Sequence, residues 1–279
     1  MGGAEASVRR CGVLGDPIAH SLSPTLHRAG YAALGLDWEY DAHRVGAGGL
    51  PDFLGGLGSE WRGLSLTMPL KREALEVADA LSERALVAGA ANTLVLSADG
   101  VWGDNTDIPG AVAALRERYA GPVDSAAILG GGATAASTLL ALAELGCRRF
   151  RLCVRNPETA AATLAAAGRF AEPLHVELGG LTELTAPDLA DFDVLVSTVP
   201  VAAQTPALVE ACRAVPVLFE VLYHPWPTPV VASAGDRVLI RGLDLLVHQA
   251  ALQFEQFTEL PAPLAVMREA GEVVLTERG

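Results

Sequence analysis

Residues 128–135, Ile-Leu-Gly-Gly-Gly-Ala-Thr-Ala, decide how the second half of the chain is interpreted. They fit the pattern G-x-G-x-x-A at the end of an apolar run, and they open a helical pattern. In such a loop the first glycine permits a tight turn, the second lets the backbone approach a pyrophosphate, and the alanine allows close helix packing. A glycine-rich connection without a ligand is the alternative for this pattern taken alone. The residues that would line a dinucleotide site are Gly130, Gly131, Gly132, Ala133, Thr134 and Ala135.

Around this loop the chain alternates short apolar runs with helical patterns. The runs are mostly continuous, which is typical of strands buried on both faces of a parallel sheet. Together with the loop they predict a doubly wound α/β domain of the Rossmann type. The strands are expected at Ser125 to Leu129, Arg149 to Val154, Val194 to Ser197, Val215 to Glu220 and Arg237 to Ile240.

The end of the second of these strands indicates which nucleotide binds. NAD-selective sites place a carboxylate there, roughly 20 residues after the loop, to bond the ribose 2′-hydroxyl. Here the strand is followed by Arg155-Asn156-Pro157, with no carboxylate before Glu158. An arginine can pair with a 2′-phosphate through two parallel charge-assisted bonds. Arg155 therefore favours NADP, and an ordinary surface arginine is the alternative.

The first hundred residues predict a separate α/β unit. Strands are expected at Arg9 to Leu14 and Glu39 to Arg44, around a helix that begins near Ser23, where Ser and Pro supply an N-cap and a first-turn residue. Further strands are predicted at Gly63 to Leu66 and, with a turn at Asp99-Gly100, within Ala91 to Asp104. This part of the chain therefore alternates strands and helices without a glycine loop of its own.

Two later helices set the expected domain boundaries. A helix over Ile108 to Tyr119 ends at Gly121-Pro122 and is the predicted hinge. A second helix over Gly242 to Thr258 is broken by Pro261 before a last helical segment. We therefore expect a first domain of residues 1–107 and 242–279, to which the C-terminal helices return, and a second domain of residues 108–241.

The composition narrows the class of protein. A chain of 279 residues is long enough for two domains and a cleft, where small ligands usually bind. A formal net charge of −13 argues against a nucleic-acid or anionic-membrane partner, since either needs clustered Lys and Arg. The cysteines show no C-x-x-C pair and no zinc-like spacing, so we expect no metal and a reduced, cytoplasmic setting. They are Cys11, Cys147, Cys153 and Cys212.

Five short segments place polar residues beside Gly and Pro at expected strand ends, where functional loops concentrate. Turn and cap chemistry explains each of them taken singly. The segments are Gly15 to Pro24, Ser65 to Lys71, Gly89 to Leu94, Gly103 to Asp107 and Gly242 to Ala250.

Taken in order with the glycine loop and the segment Tyr223 to Pro229, these motifs resemble the shikimate dehydrogenase family. The resemblance extends from about Cys11 to Pro263, and the stretches Leu66-Thr67-Met68-Pro69 and His248-Gln249-Ala250 suggest an actinobacterial-like branch. It implies a substrate domain, an NADP-binding Rossmann domain, and the NADPH-dependent reduction of 3-dehydroshikimate in aromatic amino acid biosynthesis. The oligomeric state stays open, with a homodimer as one option.

The resemblance also implies roles for individual side chains. Lys71 would be the general acid and base, paired with Asp107. Ser21 and Ser23 would hold the substrate carboxylate, with Tyr223 at the same end. The remaining polar residues would hold the ring hydroxyls, and Gly242 would join the loop residues and Arg155 at the cofactor. The ring-binding residues would be Thr67, Asn92 and Gln249, together with Asp107.

The expected chemistry explains why a lysine is needed. Hydride addition to a ketone creates negative charge on its oxygen, and a lysine supplies both a positive charge and a proton there. Without this role, Lys71 would be a surface residue at a helix N-terminus, and Asp107 would cap the hinge helix. The cap and the catalytic role are compatible for Asp107.

Some positions depart from the family pattern. Ser65 stands where most members carry Asn, and Glu220 stands where Asp is common. Val154 and Asn156 flank Arg155 where Asn and Thr are usual, so the phosphate pocket has fewer donors. Two alternative functions therefore stay open. The first is a quinate/shikimate dehydrogenase that uses NAD or acts on an aminoshikimate, and the second is a non-catalytic sensor of a shikimate-like ligand.

Overall fold

Two six-stranded sheets, each in its own compact unit, carry the fold of residues 8–278, the part of the chain that the computed structural model describes. The first unit contains the described residues up to Leu86, with Ala90–Thr106 and Ala250–Gly271. The second contains Val87–Gly89, Asp107–Gln249 and the described residues from Glu272. Residues 1–7 and Gly279 of the expected first domain lie outside the described part. The predicted α/β fold class is confirmed.

The first sheet is mixed, with strand order β2-β1-β3-β5-β6-β4. β1 pairs in parallel with β2 and β3, whereas β5 runs antiparallel to both β3 and β6. The elements of this part of the chain are β1 (Arg9–Gly15), α1 (Ser23–Ala33), β2 (Trp38–Arg44), α2 (Leu50–Gly55), β3 (Trp61–Leu66), α3 (Ala74–Val77), β4 (Ala80–Leu81), α4 (Glu83–Ala88), β5 (Thr93–Ser97) and β6 (Gly100–Asp104).

The second sheet is parallel throughout, with strand order β12-β11-β10-β7-β8-β9. The strand order reverses direction at β7, where the glycine loop begins. The elements are α5 (Asp107–Arg118), β7 (Ser125–Leu129), α6 (Ala133–Glu144), β8 (Arg149–Val154), α7 (Ala161–Arg169), β9 (His175–Gly180), β10 (Val194–Ser197), α8 (Pro206–Cys212), β11 (Val217–Glu220), α9 (Pro229–Ala232), β12 (Val238–Ile240), α10 (Gly242–Thr258) and α11 (Leu264–Arg278), with 3-10 helices at Pro157–Ala160, Ala186–Asp188 and Val201–Ala203.

Continuous apolar runs in the second unit reflect burial on both faces of its sheet. In β7, Ala126 and Ile128 pack into one apolar cluster, while Ala127 and Leu129 pack into another. Both faces of this strand are therefore covered, as the unbroken run of small and branched residues predicts. All four cysteines are buried as well, and none of them forms a disulfide.

The division of the chain differs from the expected one near its C-terminus. The expected first domain includes all of residues 242–279, whereas Gly242–Gln249 and the residues from Glu272 belong to the second unit. Ion pairs give the physical reason. Asp244 pairs with Arg118 of α5 at 2.9 Å, and Glu272 pairs with Arg241 at 3.1 Å. These pairs tie the start of α10 and the end of α11 to the second unit.

Within residues 8–278, no helix is long and apolar enough to span a membrane. The same residues contain no cluster of three or more His, Cys, Asp or Glu side chains arranged to hold a metal ion.

Candidate active site

The glycine loop lies at the carboxyl end of β7, where the strand order of the second sheet reverses. Ligands of open α/β sheets bind in the crevice at such a point. Gly130 has φ +105°, a conformation that side chains other than glycine rarely adopt. α6 begins directly after Gly132, and its first turn holds no acidic residue. The helix N-terminus therefore offers backbone N–H groups and a positive dipole end to an anion.

Two observations fit this loop to a pyrophosphate. A Cβ placed on Gly132 would meet no heavy atom within 4 Å, so this face of the backbone is open to a ligand. The other face is held by Thr163, whose hydroxyl donates to the carbonyl of Gly131 at 2.9 Å and to that of Gly132 at 3.3 Å. Of the remaining predicted loop residues, Ala135 is buried against the sheet, and Ala133 and Thr134 are half-buried at the start of α6.

Arg155 follows β8 directly and is exposed. Within the described part of the chain its guanidinium takes part in no ion pair, so it remains available to an anion. The residues on either side of Arg155 offer an anion few further hydrogen-bond donors. Val154 is buried, and the Asn156 side chain accepts a hydrogen bond from the Glu158 N–H at 3.0 Å. The second unit thus presents one exposed arginine where a 2′-phosphate is expected, and the donor set fits NADP.

The first unit gathers several of the predicted substrate residues at one edge of its sheet. Because β1 and β3 are parallel neighbours, their carboxyl ends meet at that edge. Ser21 and Ser23 follow β1, and Thr67 follows β3. Asn92 precedes β5, which runs antiparallel to β3 with Thr93 opposite Ser65, so it lies at the same edge.

Lys71 belongs to this edge through its backbone. Its carbonyl accepts a hydrogen bond from the Ala91 N–H at 2.7 Å, next to Asn92 in the chain. The Lys71 residue itself is half-buried. Asp107 lies in the second unit, where it is the first residue of α5 and 6% exposed. The expected N-cap position is wrong by one residue, because α5 begins at Asp107 itself, and the carboxylate is instead placed in the first turn, where the positive end of the helix dipole stabilises it.

Hydrogen bonds fix the side chain of Asn92. Its Oδ1 accepts from the Thr106 N–H at 2.7 Å and from the Thr93 hydroxyl at 2.9 Å, while its Nδ2 donates to the Thr106 hydroxyl at 2.9 Å. These partners dictate which way round the amide sits. Ser21 plays a comparable local role, because its hydroxyl accepts from the Ser23 N–H at 3.3 Å where α1 begins.

The remaining predicted site residues belong to the second unit. Gln249 is 7% exposed and donates from Nε2 to the Leu246 carbonyl at 3.1 Å. Gly242 opens α10, and a Cβ there would lie 2.4 Å from the Val221 carbonyl oxygen. The start of α10 therefore packs directly on the segment that leads to Tyr223, and no larger residue fits at position 242.

A buried carboxylate that the sequence left without a role anchors this segment. Glu220 ends β11 and is fully buried, where it accepts from the Leu222 N–H at 3.1 Å. Burial raises the pKa of Glu220, and the hydrogen bonds only partly oppose this. The side chains that donate to it are Ser197, Gln204 and Thr228, at 2.9 to 3.1 Å. The chain on either side of Tyr223 is thus tied to one carboxylate.

Tyr223 is half-buried and borders a cavity of about 450 Å³ in the second unit. Two aromatic rings and the Arg241–Glu272 ion pair form part of its wall. The lining residues are Tyr223, Trp226, Arg241, Leu243, Glu272, Leu275 and Thr276. The sequence alone indicated neither this cavity nor the ion pair.

The comparisons with known proteins agree over nearly the whole chain. The family model for the shikimate dehydrogenase substrate binding domain matches residues 13–94, and that for the shikimate 5'-dehydrogenase C-terminal domain matches residues 242–270. A shikimate dehydrogenase (NADP(+)) of Moorella thermoacetica is 36% identical over 274 residues, which cover 94% of this chain and 92% of the relative.

Solved structures of shikimate dehydrogenases are also similar to this chain. The shikimate dehydrogenase of Mycobacterium tuberculosis is 42% identical with a TM-score of 0.85, over 95% of this chain and 99% of that one. The shikimate 5-dehydrogenase of Thermus thermophilus, solved with NADP(H) and shikimate, is 30% identical with a TM-score of 0.81, over 95% and 99% of the two chains. The predicted resemblance is confirmed, and the chain belongs to the shikimate dehydrogenase family.

Proposed function

We propose that this chain catalyses the reversible, NADPH-dependent reduction of 3-dehydroshikimate to shikimate in aromatic amino acid biosynthesis. The Moorella thermoacetica relative carries the name shikimate dehydrogenase (NADP(+)), and the Thermus thermophilus relative was solved with NADP(H) and shikimate. The observation within the chain that carries the proposal is the hydrogen bond from the Ala91 N–H to the Lys71 carbonyl. It brings the proposed acid and base to the same sheet edge as Asn92.

In the proposed mechanism, bound NADPH supplies the hydride that the ketone carbon accepts. Lys71 donates a proton to the carbonyl oxygen as negative charge develops there, and it takes that proton back in the reverse direction. Asp107 pairs with Lys71 and holds a ring hydroxyl. Without a proton donor the developing alkoxide would have to form unaided, which is why the lysine carries the reaction.

Substrate binding is proposed to divide between the two ends of the ring. Ser21 and Ser23, with Tyr223, hold the substrate carboxylate. One threonine and two amide side chains hold the ring hydroxyls. These hydroxyl-end residues are Thr67, Asn92 and Gln249. Neutral donors at the carboxylate suit a chain with a net charge of −13, since they bind an anion by hydrogen bonds where cations are few.

NADP is proposed to bind along the glycine loop, Gly130 to Ala135, with its 2′-phosphate on Arg155 and with Gly242 as a further cofactor-binding residue. Support comes from the open face of Gly132 and from the exposed guanidinium of Arg155, which forms no ion pair within residues 8–278. We place the enzyme in the cytoplasm, in keeping with four buried cysteines that form no disulfide. A homodimer is the proposed assembly, and light scattering on the purified chain tests it.

A steady-state assay of the purified chain tests the function. Shikimate and quinate are each oxidised with NADP⁺ and with NAD⁺, and we expect the highest kcat/KM for shikimate with NADP⁺. A marked preference for NAD⁺, or for quinate, would instead favour the quinate/shikimate dehydrogenase alternative. Tight shikimate binding by calorimetry without any turnover would favour the non-catalytic sensor.

A further inference from the structure

A chain of buried hydrogen bonds crosses the first unit and ends at Asn92. It starts at Tyr40 on β2, whose hydroxyl donates to the Ser65 hydroxyl at 2.6 Å, and Ser65 donates to Oε1 of Gln253 at 2.8 Å. From Gln253 the Nε2 group donates to the Asn92 carbonyl at 3.0 Å and to the Thr93 hydroxyl at 2.9 Å. All five residues are at most 4% exposed.

In this chain of hydrogen bonds, the bonds that Gln253 and Thr93 donate lead towards the amide of Asn92. Thr93 accepts from Gln253 and donates onward to Oδ1 of Asn92 at 2.9 Å. Oδ1 is thereby committed to donors from the protein, and the orientation of the Asn92 amide is set. A buried polar chain of this kind favours one arrangement, because any flipped amide leaves a buried donor or acceptor unpaired.

At its other end this chain of hydrogen bonds begins at the buried Tyr40 hydroxyl, inside the first unit. Ser65, which stands where most members of the family carry Asn, is 4% exposed and has both a donor and an acceptor partner inside the protein. The Ser65 hydroxyl is therefore engaged by partners inside the first unit, and the amide of Gln253 lies in the buried space beside it.

We propose that Gln253 is a positioning residue that fixes Asn92 for substrate, directly and through Thr93, while Ser65 and Tyr40 hold the Gln253 amide in place. The inference rests on the proposed function, since it assigns an indirect role at the same site. Gln253 lies far along the sequence on α10, so the helix that returns to the first unit completes the positioning of a residue next to β5.

The substitution Gln253→Met tests this, because it keeps a similar shape and removes every hydrogen bond of the amide. We expect the KM for shikimate to rise about tenfold, the size of effect that follows when a buried donor or acceptor loses its partner. The KM for NADP⁺ should stay within about twofold, and kcat should change less than the shikimate KM.

Gln256→Met is the matched control, with the same change on the same helix. Gln256 donates to Oδ2 of Asp104 at 2.6 Å and has no part in the chain that ends at Asn92. It should lower the melting temperature while the shikimate KM stays within about twofold of the wild type. An equal rise of the shikimate KM in both variants, or of the NADP⁺ KM in Gln253→Met, would overturn the proposal.

A smaller change keeps the test decisive if Gln253→Met does not fold. Tyr40→Phe removes one hydroxyl, and it should raise the shikimate KM by about two- to fivefold. Where Gln253→Met does fold, the effects of the two substitutions in the double variant should be less than additive, because both act on one chain of hydrogen bonds. An unchanged KM in Tyr40→Phe would overturn the role of the chain. Wild-type turnover of shikimate tests the proposed function separately, so the two failures are distinguishable.

Discussion

Acid sensitivity of the first unit follows from one buried histidine. His27 on α1 is fully buried, and its ring stacks on Tyr40 with centroids 4.1 Å apart and an interplanar angle of 9°. Burial lowers the pKa of His27 to about 3 from an ordinary value of 6.5, and it outweighs the opposite effect of the Gln253 side chain. The folded protein therefore keeps this ring neutral in mildly acidic solution.

The sign and size of the effect follow from proton linkage. Below pH 6.5 the unfolded chain protonates His27 while the folded chain does not, so stability falls as the pH drops from 6.5 towards 3. At pH 5, which is about 1.5 units below the ordinary pKa of 6.5, protonation of His27 stabilises the unfolded chain by about 1.36 kcal/mol for each of these units. His27 therefore lowers the free energy of unfolding by about 2 kcal/mol between pH 8 and pH 5.

The assay is urea unfolding of the wild type and His27→Leu at pH 8 and pH 5. Tryptophan fluorescence reports mainly on the first unit, which contains Trp38, Trp61 and Trp102 of the four tryptophans. The wild type should lose about 2 kcal/mol more than the variant, whatever the variant's stability at pH 8. His175→Gln, at an exposed site, is the control. The same loss in the wild type and His27→Leu would refute the reasoning, as would protonation of the folded His27 ring near pH 6.5.

Three further predictions concern other parts of the molecule. Arg155→Ala should raise the KM for NADP⁺ by about 10- to 100-fold and leave that for NAD⁺ unchanged, as for the loss of a hydrogen bond to a charged group. Gly110→Ala should destabilise the chain by about 1–3 kcal/mol and raise the shikimate KM, because the new Cβ would lie 2.8 Å from that of Gln249. Asp104→Asn should lower the free energy of unfolding by about 2–3 kcal/mol, since this fully buried carboxylate accepts from a guanidinium.

Each of these has an outcome that contradicts it. Arg149→Ala, at an exposed arginine that starts the same strand β8, is the control for Arg155, and equal effects of the two would remove the phosphate contact. A Gly110→Ala chain with wild-type melting temperature and KM would show that the helix contact relaxes freely. An Asp104→Asn chain as stable as the wild type in urea would show that the ion pair between Asp104 and Arg84 contributes nothing to stability.

Strands with an apolar run were predictable almost to the residue. The expected strands at Ser125 to Leu129, Arg149 to Val154 and Val194 to Ser197 coincide with β7, β8 and β10, because residues buried on both faces leave an unbroken apolar pattern. β9 (His175–Gly180) was not predicted. It lies at the edge of the sheet and most of its residues are exposed, so its sequence carries no such run.

The site was predictable where a local motif carries it. The glycine loop and the helix that begins at Ser23 follow from short-range chemistry, and the structure has both, although Leu22 and not Ser23 is the N-cap and it makes no side-chain cap hydrogen bond. Gln253 and Glu220 had no such signal, because their roles depend on partners far away in the chain. Gln253 meets Ser65 across 188 positions, and Glu220 collects donors from three separate segments. Only the folded topology brings these groups together.

Lys71 transfers the proton in the proposed mechanism, and Lys71→Ala tests this role most directly. Steady-state oxidation of shikimate by NADP⁺ should show kcat lowered by roughly 10²- to 10⁴-fold, the span of general acid-base catalysis, with the shikimate KM nearly unchanged. A sharp rise in the shikimate KM at constant kcat would contradict the claim and make Lys71 a binding residue.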